Sequence, residues 1–337
     1  MPLISICIPT YNRSAMLAEL LTSIAAQDAP DIEVVVSDDA SPDDTVRIVK
    51  GFEHKLYNLR FIRQENNVGL DVNFLRVVAA ASGDYIWLMG DDDRLEPGGV
   101  ERVRAALQRW PDVTGLTLGV IDYDRSMKRP TGVRGMPETQ RVENARALFT
   151  IAADLLGFMS ALVIKRDRWA AIAARPDVRN FENYYVQVYI IGKAVDEFGG
   201  WGILNEPCVG FRSGNDQFRT KLGWLRRLEV DVHAYRQIAA ALFPTDDASR
   251  YTMNQKILET HVLARVRNAK TAPGATPGVL AALRYLYGPY HRHQDYWTQI
   301  VPTLLGPKWL LRAGRTLYRK FSRTSGIARA RQLSRIS

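Results

Sequence analysis

The chain has 337 residues, room for one large domain or two modest ones, and an apolar share of 46% that is ordinary for a globular protein. Its net charge of +9 sits at one end: nine basic residues and no acidic one follow Asp295, which leaves residues 1–295 neutral, so the basic character belongs to a tail and not to the fold. No run approaches 18 apolar residues, the start Met1-Pro2-Leu3-Ile4-Ser5 does not read as a signal peptide, and Cys7 and Cys208 have neither metal nor disulfide spacing, which argues against a spanning helix and a disulfide framework and suits a reducing cytosol.

Leu3 to Ile8 predicts a first strand, ended by Pro9, and Ser14 predicts the cap of a helix from Ala15 to about Gln27. Ile32 to Val36 is a second strand, followed by Asp38 and Asp39. Ser41-Pro42-Asp43-Asp44 then has the pattern of a helix start. Leu59 to Arg63 is a short third strand, Asn66-Asn67-Val68-Gly69 a turn, and Leu70 to Ala81 a helix. The apolar run Tyr85-Ile86-Trp87-Leu88-Met89-Gly90 is a buried strand that ends on three acids, Asp91, Asp92 and Asp93.

Beyond it, Gly115 to Tyr123 predicts a strand, Lys128 to Pro137 a mobile loop rich in Gly, Pro and Arg, and Leu148 to Leu156 a helix. Ala161 to Ile164 is a short strand and Asn183 to Lys193 a helix. The pattern past about Gly214 is helical, over Leu222 to Leu242, Arg250 to Asn268 and Val279 to Tyr287. The strand–helix alternation of the first 100 residues implies a parallel sheet with right-handed crossovers. Neither G-x-G-x-x-G after the first strand nor G-x-x-x-x-G-K-[ST] occurs, which disfavours an ordinary dinucleotide fold and a P-loop.

Three adjacent carboxylates are costly unless a cation neutralises them. Mg²⁺ or Mn²⁺ would do so, because such ions prefer carboxylate oxygens, keep waters, and can hold a diphosphate on the far side. Strand ends of open α/β sheets are where ligands sit. An exposed acidic turn is the plainer reading of the same residues.

Four blocks then resemble the family 2 glycosyltransferases, inverting enzymes with the GT-A fold. They are Ser5 to Arg13 (SICIPTYNR), Val35 to Thr45 (VVSDDASPDDT), Asn67-Val68-Gly69 with Asn73, and Ala81 to Pro97 (ASGDYIWLMGDDDRLEP). The last block, with Leu156-Gly157-Phe158-Met159-Ser160 followed by Lys165-Arg166 and Trp169, is most similar to the abequosyltransferase-type branch of surface-polysaccharide enzymes.

The resemblance implies an α/β GT-A fold, a mostly parallel sheet flanked by helices, with a C-terminal helical extension. Its expected boundaries are a catalytic domain over 1–215, with a donor half to about 100 and an acceptor half beyond, a helical extension over 216–305, and a basic tail over 306–337. It implies a sugar moved from a nucleotide-sugar donor to a hydroxyl of a glycan or polyprenyl-diphosphate-linked acceptor, in surface polysaccharide or O-antigen synthesis. Pro9, Thr10, Tyr11 and Arg13 would border the donor, Tyr11 offering a ring to the base. Asp39 would accept a hydrogen bond from the base, with Asp38 beside it. Asn67, Gly69, Asn73 and Asp91 complete the expected donor set, and Asp91, Asp92 and Asp93 are the expected ligands of Mg²⁺ or Mn²⁺.

Arg212, in Gly210-Phe211-Arg212-Ser213-Gly214-Asn215, offers a second cation from a flexible loop. Phe158 and Ser160 are the expected acceptor contacts. The family supplies its general base from a helix start, which points to Glu182; many relatives carry Glu-Asp there, and this chain carries Glu182-Asn183. Asp154 and Asp177 are the fallbacks, and a glutamate at a helix start also serves as a cap.

Residues 309–323 can form an amphipathic helix, with Arg312, Arg315, Arg319 and Arg323 on one side and Leu310, Leu317 and Phe321 on another. That suits an anionic membrane surface and a peripheral place on its cytoplasmic face, with no specific nucleic acid among the partners. Assembly into an oligomer stays open. Two other readings remain: a nucleotidyltransferase, disfavoured because Pro9-Thr10-Tyr11-Asn12-Arg13 stands where such enzymes carry a Gly-rich basic loop, and a non-enzymatic membrane or nucleic-acid binding module.

Overall fold

The computed structural model describes residues 3–134, 138–215, 217–272 and 276–311. These divide into two units, one of residues 3–148 and 155–214, the other of 149–154 and the residues from 215 on.

The first unit opens with β1 (Ile4–Thr10), α1 (Ser14–Ala25), β2 (Glu33–Asp38), α2 (Thr45–Lys50), β3 (Asn58–Arg63), α3 (Leu70–Ala79) and β4 (Tyr85–Leu88). Next come β5 (Arg94–Leu95), α4 (Gly99–Arg109), β6 (Gly115–Tyr123), β7 (Pro130–Arg134), β8 (Gln140–Val142) and α5 (Ala145–Ala152), whose last turn falls in the second unit. After two short 3₁₀ turns the chain forms β9 (Leu162–Lys165), α6 (Arg166–Ala173), α7 (Val186–Phe198) and β10 (Trp201–Arg212).

The strands join one sheet in the order β3-β2-β1-β4-β9-β6-β10-β5, with β7 on β6 and β8 on β10. The β3-β2-β1-β4 half is parallel. Then β9 runs antiparallel to both β4 and β6, while β10 returns parallel to β6. The sheet is therefore mixed, with most of its paired register parallel and antiparallel strands added where strand–helix alternation stops at β4. Every residue of β1 is buried, as expected for a central strand covered on both faces. Ile4, Ile6 and Ile8 pack with Leu17, Leu20, Leu21 and Ile24 of α1 in one apolar cluster. Trp87 is fully buried and donates its indole N–H to the Ser160 carbonyl at 2.9 Å, so the ring fills the core without an unsatisfied donor.

Several local expectations shift. The helix cap at Ser14 is not a serine cap: Asp43 Oδ2 accepts the Ser14 N–H at 2.8 Å, and the helix begins at Ser14 itself. The expected mobile loop contains β7, antiparallel on β6, and residues 135–137 of it lie outside the described residues.

The second unit is helical: α8 (Gln217–Leu242), broken at Gly223, then α9 (Asp247–Ile257), α10 (Leu263–Thr271), α11 (Val279–Tyr290) and α12 (Val301–Leu305). A π-helical turn, Leu258–Val262, joins α9 to α10. The buried carboxylate of Asp231 is bracketed by Arg227 and Arg265. Among the described residues no helix is long and apolar enough to cross a membrane. Of the predicted basic helix, residues 312–337 lie outside the described residues.

Candidate active site

The chain runs from β1 outward through β2 to β3, then returns to place β4 on the other side of β1. That reversal creates a crevice beyond the carboxyl ends of β1 and β4, the place where open α/β sheets bind ligands. Parallel register brings the strand ends level: Thr10 pairs with Asp38, Cys7 with Leu88, and the Met89 N–H reaches the Cys7 carbonyl at 3.0 Å. Thr10, Tyr11, Asp38, Asp39 and the acids after β4 thus share one edge. Pro9 lies within β1, buried, one residue before that edge. The Tyr11 ring, 40% exposed, stands just past the strand end.

The three acids differ in their partners. Asp91 Oδ2 accepts the Thr10 hydroxyl at 2.8 Å and Asp91 Oδ1 lies 2.8 Å from Arg13 Nη1. The same nitrogen stands 3.2 Å from Asp92 Oδ2. Asp93 is held on the other side: Oδ2 accepts the Ser160 hydroxyl at 2.6 Å and Oδ1 the Arg212 backbone N–H at 3.2 Å. Gly90 permits this crowding. A Cβ there would stand 3.2 Å from both Asp93 Oδ2 and Ser160 Oγ.

Burial pushes the Asp91 carboxyl up to about 6, with Arg13 pulling it down and Asp92 adding to the rise. Burial, reinforced by the Asp92 charge, raises Asp93 well above the usual carboxylate range. Two carboxylates already converge on one cationic nitrogen, and the donor set is all oxygen, so the residues fit a hard divalent ion. As the side chains stand, no group of three or more His, Cys, Asp or Glu among the described residues is arranged to hold a metal.

Asp39 holds a turn. Its two oxygens accept the Val68 N–H at 2.7 Å and the Gly69 N–H at 3.0 Å, and Asn67 Nδ2 donates to its carbonyl at 3.4 Å. Gly69 has φ +88, the left-handed region that glycine enters without strain, and it opens α3. Asp38 is buried, accepts the Ser41 N–H at 3.0 Å, and has Arg63 Nε 3.7 Å from Oδ2. Asn73 uses both ends of its amide on Ser37, at 2.6 and 2.9 Å, so it braces the end of β2 from behind the crevice.

One expectation needs correction. Arg212 is the last residue of β10 and buried, not a loop cation. Its Nη2 lies 2.6 Å from Glu19, Nη1 donates to the Arg125 carbonyl at 2.9 Å, and Nε to the Asp92 carbonyl at 2.8 Å. The guanidinium fastens the acidic turn to α1, using three of its five N–H donors. Ser160, an expected acceptor contact, is fully buried. Its hydroxyl donates to Asp93 and accepts the Gly90 N–H at 2.9 Å, so it holds the acid in place. Phe158 meets Phe211 edge to face, with centroids 5.2 Å apart, and the Arg134 guanidinium lies over both rings at 4.9 and 4.0 Å.

Glu182 is exposed at the end of a 3₁₀ turn, Pro176–Phe181. The segment after it packs on the start of α3, where Asp71 Oδ2 accepts the Tyr184 N–H at 3.0 Å. Burial pushes the Asp71 carboxyl up to about 6; the Tyr184 N–H opposes the shift and the charge of Glu182 adds to it. Tyr184 has φ +74, a strained value for a tyrosine. Asp177 accepts the Tyr189 hydroxyl at 2.5 Å. Asp154 belongs to the second unit, where Lys256 Nζ lies 3.8 Å from it. Neither Asp71 nor Glu19 was among the expected site residues. Each is an acid in a helix whose partner lies far along the chain, and no local pattern marks it.

Residues 5–164 match the protein family described as Glycosyl transferase family 2. Abequosyltransferase RfbV of Salmonella typhimurium is 33% identical to this chain over 253 residues, 70% of this chain and 74% of the relative. The chain belongs to the family 2 glycosyltransferases. A second relative is a GalNAc(5)-diNAcBac-PP-undecaprenol beta-1,3-glucosyltransferase of Campylobacter jejuni, 23% identical over 75% of this chain and 82% of its own length. The fold is that of the mannosyltransferase PcManGT from Pyrobaculum calidifontis, solved with GDP-Man and Mn²⁺: TM-score 0.55, 16% identity, 95% of this chain and 88% of that one. As a family 2 enzyme the chain is a glycosyltransferase that uses a nucleotide-sugar donor, which sets aside the nucleotidyltransferase and non-enzymatic readings.

Proposed function

We propose that this enzyme is an inverting, metal-assisted glycosyltransferase of surface-polysaccharide or O-antigen synthesis, moving a sugar to a hydroxyl of a glycan or polyprenyl-diphosphate-linked acceptor. The carrying observation is the convergence of Thr10, Tyr11, Asp39 and Asp91 to Asp93 at one carboxyl edge of the sheet. The name of the Campylobacter relative, which carries a PP-undecaprenol-linked acceptor, supports the acceptor class. The Mn²⁺ in the PcManGT complex supports a divalent ion.

Asp91, Asp92 and Asp93 would hold Mg²⁺ or Mn²⁺, which when bound neutralises the charge that builds on the departing diphosphate. The Tyr11 ring stacks on the donor base. Asp39 keeps acceptor capacity beyond its two backbone hydrogen bonds, since a carboxylate offers about four lone-pair sites, and it takes an N–H from the base. Glu182 accepts the proton of the acceptor hydroxyl as that oxygen attacks the anomeric carbon from the face opposite the breaking bond. Phe158, stacked under Arg134, forms an acceptor wall.

The basic tail brings the enzyme to an anionic, cytoplasmic membrane face, where a lipid-linked acceptor resides. Exposed Trp309 and Leu310 at its start support that reading. Purified enzyme with Mn²⁺ and a panel of sugar nucleotides is the test. Slow donor hydrolysis that Asp92→Ala abolishes is expected. A panel left untouched by the wild type, or an Asp92→Ala variant as active as wild type, overturns the proposal.

A further inference from the structure

We infer that Arg13 is a resident counter-ion of the acid cluster, that a divalent cation must displace it, and that displacement hands its guanidinium to the donor's diphosphate. The inference rests on the reading of Asp91 to Asp93 as the metal site. A single nitrogen, Nη1, stands 2.8 Å from Asp91 Oδ1 and 3.2 Å from Asp92 Oδ2. A point between two carboxylates is where a hard cation is held most strongly, and two positive charges cannot share it. Asp93 adds its field to the same guanidinium.

The local backbone suits a swinging arm on a fixed base. Asn12, just before it, sits at φ +54 with its N–H bonded to Ser41 Oγ at 2.8 Å. The Arg13 carbonyl accepts the Met16 and Leu17 N–H groups at 3.0 Å each as α1 begins. The side chain itself is 18% exposed, so its head is within reach of solvent and ligand. A guanidinium released there presents a planar fork that matches phosphate oxygens, which a lysine ammonium does not.

The arrangement makes metal and donor cooperative. Without a nucleotide, the ion must evict Arg13 and leave it unpartnered. With a nucleoside diphosphate present, the displaced arginine gains a new anion, so each ligand strengthens the other.

Mn²⁺ titration, following the electron paramagnetic resonance signal of the free ion, tests this in the wild type, Arg13→Gln and Arg13→Lys, first with metal alone and then with UDP or GDP. Arg13→Gln should bind Mn²⁺ alone about tenfold more tightly than the wild type, within the usual range of coupling between sites. The nucleotide should still strengthen Mn²⁺ binding by the variant, since ion and diphosphate attract each other directly, but by a smaller factor than in the wild type. Arg13→Lys, which keeps the charge, should stay close to the wild type for metal alone. Thermal melts supply a readout that does not depend on activity: metal-free Arg13→Gln should melt lower than the wild type, and Mn²⁺ should raise its melting point by more. Equal or weaker Mn²⁺ binding by Arg13→Gln overturns the inference and leaves the metal site standing. Absence of Mn²⁺ uptake by wild type and variants alike, with or without nucleotide, overturns the metal reading itself.

Discussion

Ser160 and Asp93 define the chemistry at the residue scale. The hydroxyl stands between the Gly90 N–H and a buried carboxylate, so Ser160→Ala removes the partner of that N–H and of Asp93 Oδ2, leaving Asp93 only its Oδ1 bond from the Arg212 N–H. A loss of about 1–3 kcal/mol in denaturant unfolding is expected, with weaker donor turnover. Glu182→Gln should lower turnover by about 10²–10⁴ if Glu182 is the base, with donor affinity unchanged by titration. Asp71 gives a pH signature. Its carboxyl rises from 3.8 to about 6 on folding, so the native state holds that proton more tightly than the unfolded chain does. Stability from this group is therefore lost as the pH rises between those values. Asp71→Asn has no such proton and still offers Tyr184 a carbonyl. It should remove the decline and gain on the order of 1 kcal/mol at neutral pH, after allowance for solvent screening, in urea melts at pH 4 and 7. The acids of the crevice were legible in the sequence because they follow strands. The partners that fix them were not: Arg212 meets Glu19 across 193 residues of chain, and Ser160 meets Asp93 across 67.

At the scale of elements, the parallel half was readable because each strand is an apolar run followed by a capped or acid-rich helix start. The strand β10 was not. Asn205-Glu206-Pro207 interrupts its apolar pattern and reads as a turn, yet the strand absorbs the interruption as a register shift against β6 between Ile203 and Val209. The segment Pro130–Arg134 reads as loop from its Gly, Pro and Arg, and becomes β7 because Arg134 pairs with Asp122 across β6 and caps two phenylalanines. The turn after β4 offers the test at this scale. Gly90→Ala forces its Cβ against Asp93 and Ser160. The variant should fold, lose on the order of 1–3 kcal/mol from overpacking, and turn over donor more slowly than the wild type, as read by calorimetry and donor hydrolysis.

For the whole molecule, the charge distribution separates catalysis from location. Residues 1–295 are neutral and the remaining segment carries +9. Replacing Arg312, Arg315, Arg319 and Arg323 with Gln should weaken sedimentation with phosphatidylserine-containing vesicles by on the order of 1 kcal/mol per charge, in a salt-dependent manner, and leave donor hydrolysis in solution intact. Equal binding by the variant would remove the tail from any membrane role. Helical content past residue 214 was foreseeable from apolar periodicity. The break at Gly223 and the π turn before α10 were not, since neither interrupts that periodicity.

The double hold of Asp39 on Val68 and Gly69 complicates any mutagenesis of this enzyme. An Asp39→Ala protein with poor donor affinity suggests that a nucleobase lost its recognition partner, when the lobe beneath the nucleotide could simply have come loose. Deuterium uptake at those two amides separates the cases: protection retained blames recognition, protection lost blames the scaffold.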